Sequence, residues 1–331
     1  GNVDEDVMID YQASQVLINN SDYPHKNHYL YHDTSKDRWM PTGWDLDLSY
    51  GKIWDGTYGG VLNDKMHNPG ITPWYTTNVR GGGTGNYLLD KFFSQAGTWY
   101  RRAYLVRLWD ALQEKYTTAA FEEKILALRD LLYEEQLDDI AAWGRSSPTA
   151  NDPAAPADFD PNLDRVRQHI SIRRSYLINY LRTTESFSGH DRVKITEVMY
   201  NPLGGDPGEF LELWNSSGQA IGVSSWTIEG LGSTEPDGTH LKFQFPAATT
   251  LAADEVIIVA KDPAAFTASY GSVARVFGPY PGNLDNAGEA LRVKDAGPGH
   301  PATIDYLEYD NDTPWPLHAD GFGFSLELFD V

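Results

Sequence analysis

The order of apolar and polar positions divides the chain into three stretches of different texture. Between about residues 97 and 185, apolar side chains return every three or four positions. Tyr104, Leu105, Leu108, Trp109, Leu112 and Tyr116 form one set, and Phe121, Ile125, Leu128 and Leu132 a second. Leu163, Val166, Ile170, Leu177 and Leu181 form a third. This period places each set on one helix face, and the expected fate of all three stripes is burial in a core. SSPTANDPAAPADFDP, Ser146 to Pro161, separates the second set from the third, and its composition predicts a loop. From about residue 192 the period changes. Short runs (VKITEVMY, EFLELWN, SWTIEG, LKFQF, EVIIVA, ALRVKD, TIDYLEY and FSLELFD) alternate with turn residues. In one of them Phe210, Glu212 and Trp214 share a face, opposite Leu211 and Leu213. Many short strands at this spacing predict an antiparallel sandwich or barrel. The first 95 or so residues are aromatic, with Gly and Pro throughout, and read as loop-rich. Helices first and strands afterwards predict an α+β chain of two domains, 1–185 and 192–331, joined near SFSGHDR, Ser186–Arg192.

Charge and composition narrow the function classes. There are 26 Lys and Arg residues against 47 Asp and Glu residues, a formal charge of −21. Such a chain repels nucleic-acid backbones and anionic lipid, so neither is an expected partner. No apolar run approaches the roughly 20 residues of a membrane helix, so no transmembrane segment is expected. The absence of Cys excludes disulfides, thiolate metal sites and Cys nucleophiles. High acidity, 19 Tyr, 10 Trp and 30 Gly suit an exported bacterial protein, extracellular or at the cell surface. The opening GNVDEDVMID has no apolar signal-peptide core, and since the chain starts at Gly1 the export signal is not expected within it. No G-x-S-x-G nucleophile elbow occurs, which argues against a serine hydrolase.

Candidate chemistry gathers in the first fifty residues. QVLINNSDYPHKNHYLYHD passes from an apolar run to Asp22, then Asn27, then an alternating strand of His28, Tyr29, Leu30 and Tyr31. After the polar turn TSKDR, WMPTGW leads into Asp45-Leu46-Asp47. The segment reads as a loop and hairpin presenting three carboxylates and an amide carbonyl, oxygen donors that suit Mg²⁺ or Mn²⁺ and not zinc. Asp22 and Asn27 have the spacing of the protein-kinase catalytic loop, H-R-D-x-x-x-x-N, where the Asp takes the acceptor hydroxyl's proton and the Asn binds metal. The competing reading is a turn in which Asp and Asn serve backbone hydrogen bonds. His25, His28 and His32 have a spacing that suits a metal site on a helix, but on a strand only His28 and His32 share a face, and polar surface is the expected role. The Gly-rich Arg80–Gly85 lacks the GK[ST] ending of a phosphate-binding loop and reads as a flexible loop.

KNHYLYHD followed by WMPTGWDLDLSYG resembles the CotH (spore-coat protein H) kinase family, whose signature W-D-x-D-x-x-x-G falls here on Trp44, Asp45, Asp47 and Gly51. The resemblance covers roughly residues 1–185. It implies a mainly helical region like a kinase C-lobe in an exported atypical protein kinase that transfers the ATP γ-phosphoryl group to Ser or Thr hydroxyls of a protein substrate. Asp22 would then be the catalytic Asp, and Asn27 with Asp45 or Asp47 would hold Mg²⁺ or Mn²⁺ on ATP. A kinase also needs a lobe with a phosphate-covering loop and a strand Lys. No stretch before Asp22 is long enough to supply one, so this chain alone is expected to hold ATP poorly and be inactive. The nearby cations Lys26 and Arg38 are expected to be solvated. The alternative is a non-catalytic cell-surface or adhesion protein with a degenerate kinase-like lobe.

Residues from about 192 to 331 resemble the bacterial form of the lamin tail domain, an immunoglobulin-like β-sandwich. The resemblance rests on Ile195–Val198, Asn201-Pro202, Glu209–Leu213, Asn215, Trp226, Gly288-Glu289, Tyr309-Asp310, Pro314–Pro316, Asp320-Gly321 and Ser325–Glu327. It implies a binding or tethering module with no chemistry of its own. Glu197, Glu209, Glu212 and Asn215 lie where they could cap turns or bind a cation, and capping is the expected role. The acidic turn at Asp310 and Asp312 offers oxygen donors for Ca²⁺. Trp214, Trp226 and Trp315 are expected to pack.

Overall fold

The computed structural model describes residues 3–20, 27–51, 97–143, 159–185, 187, 190–231, 240–272, 274–297 and 299–328. Chain contacts divide it into two units, Gly1–Thr183 and Thr184–Val331. Four α-helices and one hairpin are described in the first unit: α1 (Glu5–Leu17), β1 (His28–Asp33), β2 (Arg38–Gly43), α2 (Gly97–Glu114), α3 (Thr118–Trp143) and α4 (Phe159–Thr184).

Helix α1 lies in the stretch read as loop-rich. Its signals are local: Asp4 caps the N-terminus by accepting from the Val7 amide at 3.2 Å, and Glu5 and Asp6 sit at the positive end of the helix dipole. Met8, Ile9, Ala13, Val16 and Leu17 are buried, but so are Gln12 and Gln15, and these interrupt the apolar stripe that would have revealed the helix. Gln12 is satisfied by the Tyr100 hydroxyl, which donates at 2.9 Å, and Gln15 by Asn20 Nδ2 at 2.7 Å.

The first and third stripes are core, with Tyr104, Leu108, Trp109 and Leu112 of α2 and Ile170, Leu177 and Leu181 of α4 buried. The second stripe is not. On α3 Ile125 is buried, but Leu128 and Leu132 are exposed, as are Leu126 and Leu131. Leu128 and Leu132 share the helix face of Ile125, yet of these three only Ile125 is buried. Polar arms tie α3 to α4 instead. Arg167 donates to both carboxylate oxygens of Glu122 at 2.8 and 2.7 Å, and Arg129 to both of Asp160 at 2.6 and 3.1 Å. Asp160 and Pro161 belong to α4, so the loop ends earlier than its composition suggested; residues 144–158 lie outside the described residues.

The second unit is a sandwich. Its strands are β3 (Val193–Met199), β4 (Phe210–Asn215), β5 (Ile221–Gly222), β6 (Thr227–Gly230), β7 (Lys242–Gln244), β8 (Thr250–Leu251), β9 (Val256–Ala260), β10 (Arg275–Phe277), β11 (Gly288–Lys294), β12 (Thr303–Asp310) and β13 (Leu326–Glu327). One sheet runs β10-β9-β4-β3-β13 and the other β12-β11-β6-β7, while β5 pairs with β8. All pairs are antiparallel except β9–β10. That parallel pair needs a crossover, supplied by α5 (Pro263–Tyr270). The eight-residue helix is too short for a periodic signal. It is set by Asp262, whose carboxylate accepts from the Ala264 and Ala265 amides at 2.8 and 3.1 Å, by Pro263 in the first turn, and by Gly271 at φ 76°.

Alternation decides the layers. Leu211 and Leu213 enter the inter-sheet core with Val193, Ile195, Val198, Ile257, Val259, Ile228, Leu291, Val293 and Ile304. Phe210 points the other way, where Met199, Ile258 and Phe266 of α5 cover it. The run VIIVA is therefore buried on both faces. Trp226 and Trp315 pack against the core, as expected.

Candidate active site

The hairpin brings its own ends together. β1 pairs with β2 from His28↔Gly43 to Asp33↔Arg38, so Asn27 and Trp44 flank the last rung. The Trp44 amide donates to the Asn27 carbonyl at 3.0 Å, and Asn27 Nδ2 donates to the Asp45 carbonyl at 3.0 Å. Both Asn27 (φ 62°) and Asp45 (φ 52°) are in the left-handed region, which Asn and Asp tolerate better than other non-glycine residues. The amide of Asn27 thus spends its N–H on Asp45's backbone, and the planar group turns Oδ1, the atom able to bind a metal, away from that carbonyl. The side chains of Asp45 and Asp47 are exposed on the loop that follows. Leu46 folds back over Gly43, where a Cβ would stand 3.2 Å from Leu46 Cδ1. Tyr29 meets Trp44 edge-on, with centroids 6.0 Å apart.

The loop is fastened to the C-terminal end of α1. The carbonyl of Val16 accepts from Arg173 Nε and Nη2 at 3.1 and 2.9 Å. That of Leu17 accepts from the Tyr116 hydroxyl at 2.8 Å, and that of Ile18 from the Tyr50 amide at 2.7 Å. Helix α4, the turn after α2 and the W-D-x-D loop therefore each take one carbonyl at the end of α1, and Asp22 lies only a few residues further along the chain. Arg173 is fully buried, and its charge faces the negative end of the α1 dipole. Tyr50 adopts φ 53°, strained for a non-glycine residue, and its ring stands edge-on to His169 at 5.6 Å. Burial beside Arg173 pushes the His169 imidazole down to about 3, so it stays neutral at physiological pH, and burial pushes the Tyr50 and Tyr116 phenols up.

Asn27 and Asp45 are thus brought together, and Asp47 follows on the same loop. Asp22, His25, Lys26 and Arg80–Gly85 lie outside the described residues. Among the described residues no three His, Asp or Glu side chains cluster in a way that could hold a metal ion. The donors present, two exposed carboxylates and an amide oxygen, are all hard oxygen ligands and fit Mg²⁺ or Mn²⁺ in kind. Of the three histidines singled out, His28 and His32 are described and serve the hairpin and its surroundings. His32 Nε2 lies 2.9 Å from Asp37 Oδ1 with its ring stacked 4.6 Å from Trp39, and His28 faces Tyr11 at 6.5 Å. Arg38 donates to the Val3 carbonyl at 3.4 Å.

In the sandwich the singled-out carboxylates are bonded within the fold. Glu212 accepts from Thr196 Oγ1 at 2.7 Å, Glu197 accepts from Ser325 Oγ, and Asn215 Nδ2 donates to the Gln219 and Ala252 carbonyls at 2.8 and 2.6 Å. Asp310 accepts from the Asp312 amide at 2.9 Å and closes its own turn.

The fold and the hairpin define a class: a helical unit carrying an oxygen-donor loop, followed by an immunoglobulin-like sandwich. A family model described as CotH kinase protein matches residues 2–177, and one described as Lamin Tail Domain matches residues 187–309. The first spans more than half of the sequence, and the chain belongs to the CotH kinase protein family, with a lamin tail domain behind the kinase-like part. No curated protein matches the chain.

Proposed function

We propose that the kinase-like part transfers the γ-phosphoryl group of ATP to a Ser or Thr hydroxyl of a protein substrate, and that the sandwich binds a partner outside the cell. The observation that carries the reading is the clamp of Asn27 on Asp45. It ties the Asn27 side-chain amide to the Asp45 backbone, so that two residues bearing oxygen donors are neighbours at the mouth of the hairpin. Asp22 orients the acceptor hydroxyl and takes its proton as the oxygen bonds to the γ-phosphorus, while the bond from that phosphorus to the β,γ-bridging oxygen breaks and ADP leaves. Asn27 and Asp45, or Asp47 in its place, are the residues to hold a divalent cation. Bound there, Mg²⁺ or Mn²⁺ would neutralise the β- and γ-phosphate charge. No described helix is long and apolar enough to cross a membrane, which is compatible with export.

The test is label transfer. Full-length protein incubated with γ-labelled ATP and Mn²⁺ should incorporate phosphate into itself or an added protein. Asp22→Ala and Asp45→Ala should each lower the rate by about 10²-fold or more. A well-folded full-length protein that transfers no label would favour the adhesion reading instead.

A further inference from the structure

We propose that one end of the sandwich, built from residues 200–208 and 309–325, docks a polypeptide segment that combines apolar and basic side chains. This rests on the sandwich being the binding module, and it adds which face binds and what chemistry it takes.

The face is apolar and open. Leu203, Leu317, Phe322 and Phe324 are 77%, 51%, 68% and 61% exposed. They are neighbours in space. The His318 ring lies 6.2 Å from that of Phe322 and 5.9 Å from that of Phe324, and a Cβ on Gly323 would stand 3.8 Å from Leu203 Cβ. Gly321 (φ 79°) and Gly323 (φ 86°) both adopt left-handed backbone, so the chain turns twice and Phe322 and Phe324 emerge from it. The base beneath them is fixed. Asn201 Nδ2 donates to Asp320 Oδ1 at 2.7 Å, the Gly321 amide donates to the Asn201 carbonyl at 3.2 Å, and Ala319 and Leu326 are buried. A contiguous apolar patch held on anchored loops is the form taken by preorganised interaction surfaces.

Charge selects the occupant. Residues 200–208 and 309–325 contain Asp206, Asp310, Asp312 and Asp320 but no Lys or Arg, and Lys261, 3.7 Å from Asp206, offsets one of these carboxylates. A segment carrying Lys or Arg among its apolar residues complements this frame, whereas anionic lipid and the same face of a second copy meet like charge.

The full chain is titrated with a fluorescent peptide of roughly twelve residues alternating Lys and Arg with Leu and Phe, and with its counterpart bearing Glu in place of the cations. The basic peptide should bind, more weakly as salt is raised, and the acidic one should not. The combined Phe322→Ser and Phe324→Ser variant should weaken binding by about tenfold or more, and Asp312→Lys should also weaken it. Because any cationic peptide is drawn to a chain of charge −21, the phenylalanine variant separates the patch from the general field. Thermal unfolding of each variant checks the fold, and Phe322→Ser alone carries the test if the double variant fails that check. No binding of the basic peptide, or binding unchanged in the variants, overturns the proposal. So does patch-dependent sedimentation with phosphatidylserine vesicles or patch-dependent dimerisation, because either assigns another occupant. None of these outcomes involves Asp22 or Asp45, so failure here leaves label transfer from ATP standing, and the reverse holds too.

Discussion

Two glutamates are buried at the end of the sandwich, and each does the same work. Glu209, 1% exposed, accepts from the Leu284 amide at 3.1 Å and the Tyr280 hydroxyl at 3.2 Å. Glu289, 4% exposed, accepts from the next amide, Asp285, at 3.0 Å and the Tyr309 hydroxyl at 3.3 Å. Together they hold the connection between β10 and β11. Burial pushes the Glu209 carboxyl up to about 7, with Lys261 Nζ at 3.7 Å pulling the other way. The folded state therefore binds this proton more tightly than the unfolded state. Its contribution is complete below the ordinary value of 4.5 and is lost as pH rises through about 7. Burial shifts Glu289, Glu197 and Asp305 upward as well, in the same sense, while hydrogen bonds and His190 lower Asp295 and oppose it. Denaturant unfolding should show sandwich stability falling between pH 5 and 8, by about 3 kcal/mol from Glu209 alone. Glu209→Gln should flatten the profile, and an unchanged slope would exclude Glu209 as its source. Gly230 completes the arrangement, because a Cβ there would stand 2.3 Å from Glu289 Oε2. Gly230→Ala should cost about 1–3 kcal/mol in the same assay. The sequence marks Glu209 and Gly288-Glu289 as notable, but not as clamps. Their burial depends on a loop some seventy residues away from Glu209, and no local pattern encodes that closure.

Helix α4 organises the kinase-like part through two adjacent arginines. Arg173 takes the Val16 carbonyl of α1, and Arg174 Nε takes the Leu112 carbonyl of α2 at 2.8 Å. Each guanidinium meets the negative end of a helix, so one turn of α4 fixes where two other helices stop. Arg173→Met should cost about 2–4 kcal/mol, since it removes two charged hydrogen bonds from the Val16 carbonyl and leaves it only the longer bond from the Asn19 amide at 3.3 Å. Hydrogen exchange should show the loss first at the last turn of α1. Protection unchanged there would mean that the contact does not hold the helix end. The helical stripes on α2 and α4 are legible because packing against a core enforces the 3.6-residue period. The hairpin is legible from alternation and a polar turn. Helix α1 is hidden by Gln12 and Gln15, polar residues that sit inside because a tyrosine hydroxyl and an asparagine amide satisfy them. The leucines of α3 mislead for the opposite reason: Leu128 and Leu132 share a face with the buried Ile125, and a shared apolar face does not by itself specify burial. Within the site, Asn27 and Asp45 are legible as residue types at a spacing. The left-handed backbone that joins them, and the Arg173 and Tyr116 contacts behind them, arise from chain segments too distant for spacing to show.

At the scale of the whole molecule, the two units divide the physical work. The helical unit presents exposed oxygen donors from one hairpin, whereas the sandwich buries or hydrogen-bonds most of its singled-out carboxylates and leaves an apolar face open. A ligand that binds only the folded form stabilises the unit it touches by RT ln(1 + [L]/Kd), about 2.7 kcal/mol at a hundredfold excess over Kd. If the hairpin holds a divalent cation on ATP, Mn²⁺ with a non-hydrolysable ATP analogue should slow hydrogen exchange in α1 and the β1–β2 hairpin. For amides that exchange through unfolding of the whole unit, the slowing should reach about a hundredfold. The sandwich strands should be unaffected, and Asp45→Ala should abolish the protection. Slowed exchange in the sandwich alone would place nucleotide binding in the wrong unit and remove the ground for the phosphoryl-transfer reading. Protection of α1 and the hairpin that survives Asp45→Ala would instead keep nucleotide binding there but take the metal away from Asp45, leaving Asp47 as the carboxylate to test next.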